Sequence, residues 1–182
     1  MGYPSINTEY SSIEANESYR CWIYLTCILV IMKVAITLNT SWNIYNFRMG
    51  LVRRLIAEGN TVLAVAPYDA YSKKIENEGC EFVPIEMDNT GSNPFKDFRL
   101  LQRLKKIYRQ HRPDIILNFT VKPNIYGTLA AHSLKIPVVN NVSGLGTVFL
   151  STSLASFVAK KLYRKAFSVA DFVFFQNKDD RE

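Results

Sequence analysis

Residues 33–66 read KVAITLNTSWNIYNFRMGLVRRLIAEGNTVLAVA, and their reading decides the fold. An apolar run rich in β-branched residues opens the stretch and another closes it. Between them, Phe47, Leu51, Leu55 and Ile56 recur at helical spacing, and Gly59 supplies a helix stop. Strand, helix and strand in so short a span form a crossover unit, which joins parallel strands.

Outward from this unit the alternation continues. "AYSKKIENEG" is a short helix closed by Gly79, and "EFVPIEM" a third strand. The polar loop "DNTGSNP" leads into a long helix, "FKDFRLLQRLKKIYRQHR", that Pro113 ends. On that helix Phe98, Leu101 and Leu104, with Ile107 and Tyr108, are expected to face the core. "DIILNFT" is the fourth strand, "NIYGTLAAHSL" a helix, "IPVVNNVS" the fifth strand, "LASFVAKKLYRKAFSVA" a helix and "DFVFFQN" the sixth strand. Six strands with five crossovers predict an α/β fold: a Rossmann-like, doubly wound parallel sheet of order 3-2-1-4-5-6.

The chain has 182 residues, 48% hydrophobic and 21% charged, the balance of one globular domain. Cys21, Cys27 and Cys80 make no CxxC pair, which argues against a disulfide framework. No metal-ligand spacing surrounds His111 or His132. Residues 1–31 divide into a polar, aperiodic part and the apolar run "CWIYLTCILVI". They are expected to be a disordered or extraneous extension, with the domain spanning 32–182; a membrane-contacting anchor in 21–31 is the alternative.

Residues 96–165 contain thirteen Lys and Arg against Asp97 and Asp114. Such a field suits a polyanionic partner or simply a solvated surface. Arg99, Arg103 and Lys106 share one stripe of the long helix, a candidate contact for phosphate or an anionic membrane surface. Nucleic acid is disfavoured, because the aromatic residues sit mostly at core spacing instead of beside the cations.

In an open parallel sheet, ligands bind beyond the carboxyl ends of the strands, where strand order reverses. Three loops converge there. The first, "NTSWNIYNFR", has no glycine between Asn39 and Gly50, which argues against a dinucleotide. Its Thr40, Ser41 and Asn43 suit sugar hydroxyls, or they cap the following helix. The second, "NFTVKPN", offers Asn118, Thr120, Lys122 and Asn124. Pro123 is expected to keep Val121 extended, with Lys122 beside free N–H groups of a helix opening at Asn124: an anion site, or an ordinary solvated lysine. The third, "NVSGLGTVF", offers Ser143 and the glycines Gly144 and Gly146, which line a cleft or make a tight turn.

The first stretch resembles the opening of family 4 glycosyltransferases of the GT-B fold. "FTVKPNIYG" followed by "IPVVNNVSGLGTVF" is similar to the subgroup of galacturonosyl- and N-acetylgalactosaminyltransferases that act on polyprenyl-diphosphate-linked sugars. The resemblance implies the N-terminal, acceptor-binding half of a retaining glycosyltransferase in surface polysaccharide synthesis. It implies a nucleotide-sugar as co-substrate and no resident cofactor or metal. It also implies a lipid-linked saccharide acceptor, a C-terminal donor-binding domain as partner, and a cytoplasmic, peripheral position on the inner face of the cytoplasmic membrane. Many members carry a histidine where this chain has Asn118 and Thr120, so no catalytic residue is assigned. The rival implication is a non-catalytic, membrane-anchored subunit that recruits a separate donor-binding domain.

Overall fold

The computed structural model describes residues 31–88, 93–144 and 154–176. Of the expected extension in residues 1–31, with its anchor in 21–31, all but Ile31 lies outside these, as does Gly146. Six strands form a single parallel sheet: β1 (Lys33–Thr37), β2 (Thr61–Ala66), β3 (Glu81–Pro84), β4 (Ile115–Phe119), β5 (Val138–Val142) and β6 (Phe172–Phe175). Their order is β3-β2-β1-β4-β5-β6, as the alternation predicts. The reversal falls between β1 and β4, which pair in register from Val34 with Ile115 to Thr37 with Asn118.

Both faces of the sheet are covered. Val34 and Ile36 of β1, with Val62 and Ala64 of β2, pack against α1 (Ser41–Phe47), α2 (Met49–Ala57) and α3 (Ser72–Asn77) through Ile44, Val52 and Ile75. Ala35, Leu63, Val65, Ile116 and Val138 face α4 (Pro94–His111) and α5 (Thr128–Ser133) through Leu100, Leu104, Tyr108 and Ala131. Alternate residues of a strand serve opposite layers, so a two-sided core requires near-continuous apolar runs. Each fully buried Leu, Val or Ile contributes about 1.5–3 kcal/mol. Thr37, the polar member of β1, is buried and hydrogen-bonds the Tyr108 hydroxyl at 2.9 Å. Helix α6 (Leu154–Phe167) precedes β6.

Three local expectations need correction. The helix after β1 is broken at Arg48, whose φ of −125° departs from helical geometry. Two short helices result; Met49 and Val52 are buried, while Phe47 and Leu51 are 61% and 38% exposed. On α4, Asp97 and Leu100 face inward with Leu104 and Tyr108, and Phe98 is exposed. The turn after β4 is helical from Val121 onward, with Pro123–Gly127 wound as a π-turn. Pro123 therefore does not keep Val121 extended.

The ends of α4 follow from sequence. Asn93 Oδ1 accepts from the N–H groups of Phe95 and Lys96, Pro94 stands first in the helix, and Arg112 closes it in left-handed geometry before Pro113. Among the described residues, no helix is long and apolar enough to cross a membrane.

Candidate functional site

The loop after β1 spends most of its polar groups on its own geometry. Thr40 Oγ1 accepts from Asn43 N–H at 3.1 Å and caps α1. Ser41 is fully buried; its hydroxyl donates to Pro67 O at 2.6 Å and lies 3.0 Å from Ser72 Oγ. Trp42 N–H donates to Asp69 Oδ2, which ties α1 to the loop after β2. Thr40 and Ser41 thus serve as cap and brace.

Behind β4, Asn118 is fully buried. Its Nδ2 donates to Asn140 Oδ1 at 3.2 Å and, more weakly, to Thr128 Oγ1 at 3.4 Å. Thr128 in turn donates from Oγ1, which lies 2.9 Å from Asn140 Oδ1 and 2.7 Å from Asn124 O. Asn124 is buried too, with Nδ2 donating to Asn141 O and its amide in contact with the Tyr163 hydroxyl. Burial pushes the Tyr163 phenol above its ordinary range. Asn118 and Asn124 therefore join the loops from below and do not line an open surface.

Lys122 is paired with a carboxylate of the chain itself. Its Nζ lies 2.8 Å from Asp97 Oδ1, and the side chains are 15% and 9% exposed. Tyr126 also hydrogen-bonds Asp97, and burial with that carboxylate raises the phenol's pKa. The Asn124 N–H is engaged as well, donating to Thr120 O at 3.0 Å. At the expected anion site, Lys122 Nζ and the Asn124 N–H thus both have partners within the chain.

What remains open is a hollow of about 270 Å³ at the carboxyl edge of the sheet. Leu38 follows β1; Asn43, Phe47 and Arg48 come from α1 and its break; Thr120 follows β4, Ser143 follows β5 and Gln176 follows β6. Of the sequence candidates, the hollow gathers Asn43, Thr120 and Ser143. Gly144, next to Ser143, has φ +152° and open space where a Cβ would stand. Thr120 sits at φ +67°, a left-handed conformation rare for a β-branched residue, and its buried Oγ1 has no hydrogen-bond partner among the described residues.

Arg48 escaped the sequence reading. Its guanidinium lies 4.5 Å from the centre of the Phe119 ring, and Nη1 donates to Phe47 O at 3.0 Å. Buried Nε has no partner among the described residues, and burial lowers the group's pKa. The available signal was an arginine set within an apolar helical pattern, directly after the polar loop.

A larger hollow, about 780 Å³, lies by β2, β3 and α4 and is lined in part by Tyr68, Met87, Lys96, Arg99 and Arg103. Lys96 is paired with Asp88 at 2.8 Å, and Arg103 with Glu86. The expected cationic stripe is thereby reduced at Arg103, while Arg99, Lys106 and Arg109 remain exposed on the outer face of α4. This hollow stands away from the strand reversal, so the smaller one is the better candidate for chemistry. No group of three His, Cys, Asp or Glu residues gathers among the described residues.

This sheet order, with loops converging on a crevice at the reversal, defines the Rossmann-like N-terminal half of a GT-B fold. MurG from Acinetobacter baumannii shares it at a TM-score of 0.56 and 16% identity, over 80% of this chain and 41% of that one. UDP-GlcNAc 2-epimerase from Neisseria meningitidis does so at 0.58 and 16%, over 82% and 42%. The profile of the glycosyl transferase 4-like family matches residues 33–177, and the chain belongs to that family. The N,N'-diacetylbacillosaminyl-diphospho-undecaprenol alpha-1,3-N-acetylgalactosaminyltransferase of Campylobacter jejuni is 28% identical over 156 residues, 83% of this chain and 42% of its own length. A pyrophosphoryl-undecaprenol N-acetylglucosamine transferase of Clostridium botulinum is 29% identical over 117 residues, 59% of this chain and 33% of its own. The chain thus spans less than half the length of these relatives.

Proposed function

We propose that this chain forms the acceptor-binding half of a retaining glycosyltransferase that moves a sugar from a nucleotide-sugar to a lipid-linked saccharide in surface polysaccharide synthesis. The observation that carries this is the hollow at the β1–β4 reversal, where four strand-end loops of a glycosyl transferase 4-like chain meet. Its polar lining, Asn43, Thr120, Ser143 and Gln176, can hydrogen-bond sugar hydroxyls but supplies no group that titrates near neutrality. The contribution of this half is therefore orientation: it holds the acceptor hydroxyl against the anomeric carbon of a donor bound by a second domain. Stabilisation of the departing nucleotide diphosphate falls to that domain, and the reading takes no resident metal. Phe172 and Phe174, 66% and 58% exposed on edge strand β6, offer an apolar face for such a partner to cover.

A chimera joining this chain to the donor-binding half of the Campylobacter jejuni relative tests the reading. Label from UDP-N-acetylgalactosamine should pass to a polyprenyl-diphospho-sugar with the chimera and not with the chain alone. Turnover by the chain alone, or a folded chimera that binds donor yet transfers nothing, contradicts it.

The same reading places the chain on the inner face of the cytoplasmic membrane through α4. Phe95 and Phe98 are 81% and 60% exposed, and Arg99, Lys106 and Arg109 share their outward face without an acid among them. Each cation near an anionic surface contributes about 1 kcal/mol. Binding to vesicles containing phosphatidylglycerol should fall at least tenfold in a Phe95→Ser, Phe98→Ser, Arg99→Gln variant. Unchanged co-sedimentation would remove α4 as the contact.

A further inference from the structure

Most described cations near a cavity or the core have an answering carboxylate: Lys122 has Asp97, Lys96 has Asp88, Arg103 has Glu86 and Lys33 has Glu81. Arg48 does not. It is half-buried, and among the described residues no acidic side chain lines its hollow and its enclosed Nε has no hydrogen-bond acceptor. The Phe119 ring face offers about 1 kcal/mol of cation–π attraction, less than the cost of withdrawing an unpaired guanidinium from water.

A second unsatisfied group shares the cavity. Thr120 Oγ1 is buried without a partner among the described residues, on a residue held at φ +67°. Left-handed geometry costs a threonine about 1–2 kcal/mol. Strain and unmet hydrogen-bonding capacity thus coincide at one wall, with Ser143 at the rim. A volume of 270 Å³ far exceeds the roughly 30 Å³ that one water occupies. It accommodates a group the size of pyrophosphate or a hexuronate.

We propose that this hollow is an oxyanion subsite in which Arg48 binds a phosphoryl or carboxylate group of the substrate, with the Thr120 hydroxyl donating a second hydrogen bond. The inference rests on the acceptor-binding reading and deepens it. The two oxyanions have different sources: the diphosphate that links saccharide to lipid, or the carboxylate of an acidic sugar. Planar guanidinium donors answer either one bidentately.

The test is an NMR titration of the full chain, following the Arg48 Nε–H signal, assigned by its loss in Arg48→Lys. Inorganic pyrophosphate, D-galacturonate and sodium chloride are added at matched ionic strength. The signal should shift saturably with pyrophosphate or galacturonate, with a Kd on the order of 1 mM, and not with chloride. Whichever anion binds more tightly identifies the source. Arg48→Gln should weaken binding about tenfold or more. Thr120→Gly, which suits the left-handed backbone and so preserves the fold, should weaken it several-fold. No saturable shift with either anion, or wild-type affinity in a folded Arg48→Gln variant, overturns the proposal. Anion binding is read without sugar transfer, so loss of this subsite and failure of the transferase reading are separately visible.

Discussion

Lys122→Met should cost about 3 kcal/mol and lower Tm by roughly 10 °C. The lysine looks like a surface cation in sequence, yet it neutralises Asp97 on α4 at 2.8 Å, with both side chains under one-sixth exposed. Removing it leaves a buried carboxylate whose other side-chain partner is Tyr126. The ion pair also links α4 to the turn after β4, the turn that presents Thr120 to the hollow. The double replacement Asp97→Leu, Lys122→Met should recover most of the loss, because an apolar pair carries no desolvation cost. Thermal unfolding of the two variants distinguishes the cases. A loss below about 1 kcal/mol in the single variant would mean that solvent already screens the pair.

Gly127→Ala should destabilise by about 2 kcal/mol, the reverse of what backbone conformation alone predicts. Gly127 has φ −63°, where alanine ordinarily gains about 1 kcal/mol over glycine. A Cβ there, however, would stand 2.5 Å from Asn118 Oδ1 and 2.9 Å from both Cγ and Nδ2. Asn118 cannot yield cheaply, since its amide is fully buried and hydrogen-bonded to Asn140. In an Asn118→Ala background the same substitution should turn stabilising by up to about 1 kcal/mol. A double-mutant cycle in urea measures that change of sign; equal effects in both backgrounds would show that the close approach sets nothing.

These two sites mark the boundary of what sequence reveals. Strand order was legible because two-sided burial forces apolar runs such as TVLAVA, and because Gly59 and Gly79 stop their helices at positive φ. The location of the site was legible for the same reason: parallel topology fixes which loops meet. The roles of single residues there were not. Lys122 and Asp97 are 25 positions apart, and nothing local announces their contact. Turning Asp97 inward also swings Phe98 to the surface, against the apolar pattern. Asn118 and Asn124 read as cleft residues because they are polar, yet each is buried and donates its Nδ2 to strand β5, to Asn140 Oδ1 and Asn141 O. Arg48 was invisible because the break that bends its helix lies in backbone geometry, φ −125°, with neither proline nor glycine at the position itself.

The proposed function requires the hollow beside Arg48 and Thr120 to be a wall of a sugar-transfer crevice. Its most direct measurement is calorimetric binding of a short-chain polyprenyl-diphospho-N-acetylglucosamine to the full chain, compared with Thr120→Gly and Ser143→Ala variants. Saturable binding that weakens at least fivefold in the double variant, with the Tm not lowered, is the predicted result. Binding of equal strength in wild type and double variant would contradict it, as would the absence of any binding.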